Sequence, residues 1–158
     1  MTSSIGRAPL RSVSPGRAVV DTSVLIASEN GRAVDESGLP EDPVLSVVTL
    51  AELHAGVLAA PDSESRARRM ATLDRYALIE VLDVTEIVAA EWARLRVAAW
   101  EHGIAISDND LWIAATASTS RSPLVTCDRD HVRIAPELGV EVLFFAPPPP
   151  GGRLTPAV

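Results

Sequence analysis

Ala18-Val19-Val20-Asp21-Thr22-Ser23-Val24-Leu25-Ile26 changes its pattern halfway along. Ala18–Asp21 is an apolar run closed by an acid, the signature of a short strand buried on both faces. Thr22–Ser28 follows without a linker and reads as a short helix carrying Val24, Leu25, Ile26 and Ala27. A buried strand that feeds a helix directly opens a β-α-β unit, and its acid then stands at the carboxyl end of the strand.

The same alternation continues along the chain. Val44–Val48 is a second β-branched run, followed by a helix over Thr49–Ala59 that buries Leu50, Leu53, Val57 and Leu58. Pro61 and Asp62 break that helix, and Ser63 caps the next, which runs to about Tyr76. Leu78–Leu82 is the third strand. Thr85–His102 is a long helix with Ile87, Val88, Trp92, Leu95 and Ala99 on one face, closed by Gly103. Ser107–Ser118 is a helix led by acids and filled with Leu111, Trp112, Ile113 and alanines. Leu124–Cys127 and Val140–Phe145 are the last strands, with Pro136-Glu137-Leu138 in a helical piece between them. Short strands alternating with helices predict an α/β fold: a parallel sheet of about five strands with helices on both faces.

The predicted domain spans residues 17–146. Residues 1–16, rich in Ser, Gly, Pro and Arg, read as a flexible tail. Residues 147–158 open on four prolines and two glycines and read as a second tail. The chain has 158 residues, of which 47% are hydrophobic but only 4% aromatic, so aliphatic side chains must build a single core. All 14 basic residues are Arg, and the net charge is −7. That charge argues against a general nucleic-acid coat protein, which carries a basic footprint, though not against an enzyme that cuts RNA. Cys127 is the single cysteine, which excludes an internal disulfide and suits a cytoplasmic protein. No apolar run approaches the roughly 18 residues of a membrane helix, and the first residues lack the apolar region of a signal peptide.

Four acids occupy equivalent junctions. Asp21 and Asp128 each close a strand, while Glu52 and Asp110 each fall in the first turn of a predicted helix. Each has a purely structural explanation. Thr49-Leu50-Ala51-Glu52 matches a capping box, Ser107-Asp108-Asn109-Asp110 can be read the same way, and Asp21 and Asp128 suit turns. Capping does not explain why all four reach one edge of the sheet. Like charges gathered there repel strongly unless a cation lies between them. An all-oxygen ligand set favours a hard ion, Mg²⁺ or Mn²⁺, over zinc. The neighbouring hydroxyls of Thr22, Ser23 and Thr126 suit supporting hydrogen bonds.

Val19-Val20-Asp21-Thr22-Ser23-Val24-Leu25-Ile26, Thr49-Leu50-Ala51-Glu52-Leu53-His54-Ala55-Gly56-Val57, Asp110-Leu111-Trp112-Ile113-Ala114-Ala115-Thr116-Ala117 and Leu124-Val125-Thr126-Cys127-Asp128-Arg129-Asp130-His131 resemble, in order and spacing, the four blocks of PIN-domain ribonucleases. The VapC-type toxins of bacterial toxin–antitoxin pairs are the nearest in pattern, and the likeness covers residues 17–146. The resemblance implies a PIN-like three-layer α/β/α fold and a Mg²⁺- or Mn²⁺-dependent endoribonuclease. It also implies a homodimer silenced by a cognate antitoxin. The family's catalytic acids fall on Asp21, Glu52, Asp110 and Asp128. The resemblance implies Asp21 and Asp110 as principal metal ligands, with Glu52, Asp108, Asp128 and Asp130 as candidates for further ones, directly or through water. The chain departs from the family in its two tails and in His131, where relatives often carry Phe.

Other residues read more plainly. His54, His102 and His131 are too scattered for a zinc cluster, and Cys127 alternates into the core. Arg66, Arg68, Arg69 and Arg75 form either a solvated helix face or an RNA backbone contact. Trp92, Trp100 and Trp112 suit the core or a dimer interface. The alternative to an endoribonuclease is a catalytically silent PIN-like binding module. The absence of Lys counts against a phosphoacceptor receiver, and Ser23, where that pattern wants a second Asp, against a haloacid-dehalogenase-like phosphatase.

Overall fold

Residues 16–29 and 39–145 are described by the structure, a computed structural model. The two predicted tails (apart from Gly16) lie outside those residues, as do residues 30–38 of Asn30–Glu41, a stretch with two Gly and one Pro that the sequence predicts as a loop. The elements follow in the order β1 (Arg17–Val20), α1 (Thr22–Glu29), β2 (Asp42–Ser46), α2 (Val47–Leu58), α3 (Ser63–Arg75) and β3 (Glu80–Leu82). Then come α4 (Glu86–Glu101), α5 (Asp108–Ser120), β4 (Leu124–Thr126), α6 (Arg129–Leu138) and β5 (Val142–Phe144).

All strand pairings are parallel, in the order β3-β2-β1-β4-β5. The chain winds outward from β1 in one direction and then in the other, so the order reverses between β1 and β4. In open α/β sheets that switch point leaves a crevice beyond the carboxyl ends of the strands.

Strand alternation divides the core into two layers. Val19, paired with Val44 and Leu124, faces α4, α5 and α6, meeting Val88, Leu95, Leu111, Ile113, Ile134 and Leu138. Ala18, Val20, Leu45 and Val125 face the other way, against Val24, Leu25 and Leu53 of α1 and α2. Because both faces are covered, the central strands have no polar face. Arg17 binds the carboxylates of Asp42 and Glu80 at 3.1 and 2.9 Å across the opposite, amino-terminal edge of the sheet.

Several boundaries differ from expectation, each for a local reason. The second strand ends at Ser46, whose hydroxyl accepts from the Val48 N–H at 3.2 Å and so starts α2 before Thr49. Thr49 and Glu52 therefore do not form a capping box. Thr49 lies inside the helix, its buried hydroxyl without a hydrogen-bond partner among the described residues, and Glu52 belongs to the second turn. Asp62, rather than Ser63, caps α3 by accepting from the Ser65 N–H at 2.7 Å. The helical piece around Pro136 extends back to Arg129 because Asp128 caps it. Ile87 is 73% exposed, since it lies about 100° round the helix from the buried stripe of Val88, Leu95 and Ala99. Leu58, on the last turn of α2, is 79% exposed. Gly103, with φ 64°, follows the C-cap of α4 as expected.

Candidate active site

Asp21 leaves the end of β1 and is held in place by its backbone N–H, which donates to the Val125 carbonyl at 2.9 Å. Its carboxylate is only 2% exposed. Oδ2 accepts from the Ser23 hydroxyl and, at 2.9 Å, from that of Thr126 on β4. Two hydroxyl donors stabilise a carboxylate that burial would otherwise penalise. The Ser23 hydroxyl also accepts from the Cys127 N–H at 2.9 Å, which joins the start of α1 to the loop beyond β4.

Asp110 enters from the other side on the first turn of α5. Ser107 caps that helix: its hydroxyl accepts from the Asp110 N–H at 3.1 Å and donates to Asp110 Oδ2 at 2.6 Å. The Asp110 carboxyl is half-buried, and its pKa is pushed above the ordinary carboxylate value, chiefly by that burial. The Ser107 hydrogen bond and the proximity of His131 oppose the rise, while the charges of Asp21 and Asp128 add to it. A negative charge on Asp110 is thus disfavoured by loss of solvation and by the two neighbouring carboxylates.

The ligand atoms that converge belong to Asp21, Asp110 and His131, all within 4.8 Å of one another. Asp21 and Asp110 thus meet as the sequence predicts. Their oxygens suit a hard divalent cation, and the electrostatics of Asp110 suit a positive charge at this point. Glu52 borders the group without joining it. One of its oxygens accepts from the Thr22 hydroxyl and the other from the Asn109 amide at 2.9 Å. Asp128 spends Oδ1 on the Asp130 N–H at 2.8 Å as the cap of α6, while its charge still reaches Asp110. Asp108 and Asp130 do not reach the group. Asp108 pairs with Arg96 at 3.1 Å and Asp130 with Arg133 at 3.1 Å.

Two residues escaped the sequence reading. Asn109 steadies Glu52, a role that nothing in its spacing announced. His131 is fully buried against Asp21, its Nδ1 3.6 Å from Oδ2. Its signal was present: His131, Ile134 and Leu138 recur at helical spacing, which puts the histidine on the buried face of α6.

The arginines of α3 are largely occupied. Arg68 pairs with Glu64 at 2.9 Å, Arg69 donates to the Gly56 carbonyl at 2.5 Å, and Arg75 reaches the Ser28 hydroxyl at 3.4 Å. Trp92 and Trp112 stack with centroids 5.0 Å apart and pack against the core, whereas Trp100 is 81% exposed. His54 is exposed. Cys127 is partly buried, and its thiol pKa is pushed up by burial and then by Asp21.

A family model described as PIN domain matches residues 18–136, which include Asp21, Glu52, Asp110 and Asp128. The chain belongs to the PIN domain family. Ribonuclease VapC5 of Mycobacterium tuberculosis is 45% identical over 132 residues, covering 84% of this chain and 98% of that protein. Ribonuclease VapC4 of the same organism is 37% identical over 115 residues, covering 73% of this chain and 88% of that protein. Among solved structures, VapBC-5 of M. tuberculosis, a member of the VapBC family of toxin–antitoxin systems, matches with a TM-score of 0.75. It is 42% identical and covers 83% of this chain and all of that one. FitAcB of Neisseria gonorrhoeae matches with a TM-score of 0.66 at 27% identity, covering 80% of this chain and 96% of that one. The PIN fold and the carboxyl-edge site therefore coincide in this chain.

Proposed function

We propose that this PIN domain is a metal-dependent endoribonuclease, the toxin of a toxin–antitoxin pair. The convergence of Asp21 and Asp110 at the sheet's switch point carries this reading. The 45% identity to a protein named Ribonuclease VapC5 supports the RNA substrate. Asp21 and Asp110 would hold Mg²⁺ or Mn²⁺. Glu52 and Asp128 flank it and act directly or through water, with Thr22, Ser23 and Thr126 as supports. When bound, the ion supplies a Lewis acid for phosphate oxygens and makes a water more acidic. The residues of the chain fix the ion, keep Glu52 aimed by Thr22 and Asn109, and orient the attacking water. No covalent nucleophile is required.

A cavity of about 200 Å³ lined by Ile26, Glu29, Glu52, Leu53, Gly56 and Arg69 adjoins Glu52. The solved VapBC-5 relative supports a cognate antitoxin as partner. The exposed Val97 and Trp100 of α4 supply apolar surface for a homodimer. No helix among the described residues is long and apolar enough to cross a membrane, in keeping with a cytoplasmic toxin. The PIN-like unit spans residues 17–146 with a tail on each side.

Purified full-length protein incubated with Mg²⁺ or Mn²⁺ is expected to cleave a structured RNA. Asp21→Asn and Asp110→Asn are expected to remain folded by circular dichroism and to stop cutting. The site is wrong if both variants cut as well as the wild type. A silent PIN-like binding module is the second reading, favoured by the net charge of −7. It predicts no cleavage by the wild type and no thermal stabilisation at millimolar Mn²⁺.

A further inference from the structure

We propose that His131 is a positioning residue that fixes the separation of Asp21 and Asp110, a role that rests on reading those two acids as the metal-binding pair. His131 occupies the first turn of α6 and has no exposed surface. Its Nε2 lies 3.1 Å from the main-chain oxygen of Asp110. A carbonyl only accepts, so Nε2 carries a hydrogen and donates it. In the neutral ring Nδ1 is then an acceptor, and it lies 3.2 Å from the Thr126 hydroxyl. Thr126 is itself fully buried and reaches Asp21 Oδ2 at 2.9 Å. An unbroken chain of contacts thus runs from the backbone of Asp110 through His131 and Thr126 to the carboxylate of Asp21. Its ends stand on separate elements, α5 and the turn after β1.

This chain does more than fill space. A phenyl ring packs in the same volume but bonds to neither end. The Thr126 oxygen also accepts from the Asp128 N–H at 2.9 Å, which leaves its single proton to be shared between Asp21 and His131. A buried hydroxyl left without an acceptor is costly. His131 therefore closes the far side of the Thr126 hydroxyl and keeps it beside Asp21 Oδ2. Groups that orient metal-binding side chains from behind typically change metal affinity or activity by about 10–100-fold when removed. Nδ1 faces Thr126 and is 3.6 Å from Asp21 Oδ2, which fits an orienting role for the ring.

Mn²⁺ alone is the probe, titrated calorimetrically into the full-length wild type, His131→Phe and His131→Gln in metal-free buffer. His131→Phe is expected to keep the far-ultraviolet circular dichroism of the wild type and to bind Mn²⁺ at least about 10-fold more weakly. His131→Gln, whose amide can reach the Asp110 carbonyl and still accept from Thr126, is expected to recover most of that loss. Should His131→Phe fail to fold, Thr126→Val cuts the chain at its next link and must show the same weakening. A folded His131→Phe or Thr126→Val that binds Mn²⁺ as the wild type does overturns the positioning role and leaves the metal site standing. Directly coordinated nitrogen in the pulsed electron paramagnetic resonance of the Mn²⁺-loaded wild type overturns it too, by making His131 a ligand. A wild type that binds no Mn²⁺ overturns both the positioning role and the metal reading.

Discussion

Replacing Asp110 with Asn should have opposite effects on stability with and without metal. The Asp110 carboxyl has its pKa raised by burial, with Asp21 and Asp128 adding to the effect. A carboxyl whose folded pKa exceeds its unfolded value favours folding below the unfolded pKa, and that contribution disappears as pH rises through the folded pKa. Wherever that carboxyl is ionised, the metal-free protein carries an unfavourable charge. Ligand atoms within 4.8 Å set its scale: two unit charges at that distance repel by about 3.5 kcal/mol at an effective dielectric of 20 and about 0.9 kcal/mol in water. Asp110 is half exposed to solvent, so about 1–2 kcal/mol is the expected gain on removing its charge. At roughly 2–4 °C per kcal/mol for a chain of this size, Asp110→Asn should melt roughly 2–8 °C higher in EDTA. With Mn²⁺ at about 100 times its Kd, the wild type should gain about 2.7 kcal/mol, or roughly 5–11 °C, and the variant should gain little. Thermal unfolding followed by circular dichroism at pH 7 reads both arms. If the variant melts below the wild type in EDTA, Asp110 serves folding rather than cation binding. If both proteins gain equally from Mn²⁺, it is not a ligand.

Three further outcomes follow from particular contacts. Asn109→Ala removes one of the two donors that aim Glu52 and should lower RNA cleavage roughly 10-fold in a gel assay. Its melting temperature should stay within about 2 °C of the wild type, because Asn109 lies on the surface. Ser46→Ala deletes the cap of α2 at a fully buried position and should cost about 1–2 kcal/mol in urea unfolding. Cys127, with its thiol pKa raised by burial and by Asp21, should react with a disulfide reagent at pH 8 far more slowly in the native than in the denatured protein.

The fold was legible because the strands sit between two helix layers. Burial on both faces leaves strands such as Ala18–Val20 and Val44–Leu45 apolar at successive positions, and helices of different period separate them. Boundaries were less legible because capping residues compete. Ser46 and Thr49 can each start α2, and only the position of Ser46 at the end of a paired strand decides between them. That choice also changes the reading of Glu52, which looked like half of a capping box and instead belongs to the second turn of its helix. Asp108 and Asp130 could not be told from the principal acids in sequence, since the arginines that bind them come from other turns or another helix. His131 was legible only as a buried position, because its partners are a hydroxyl and a main-chain oxygen, neither of which marks the sequence.

The two principal acids carry unequal electrostatic burdens, and this divides their work. Asp21 is the more buried, yet Ser23 and Thr126 both donate to it, and its backbone is pinned to Val125 by a sheet-type hydrogen bond. It is a preorganised anchor whose surroundings are complete before any ligand arrives. Asp110 receives a side-chain hydrogen bond from Ser107, faces two like charges and rides on a helix start at the surface. A cation entering the crevice therefore relieves Asp110 more than it relieves Asp21. The affinity of the site should depend most on how firmly α5 keeps Asp110 close to its partner. In that arrangement Ser107 fixes the carboxylate within its own turn, while the packing of α5 and its contact with His131 fix the turn against the sheet. Weakening either should loosen metal binding before it disturbs the core, since Leu111 and Ile113 hold the rest of the helix independently.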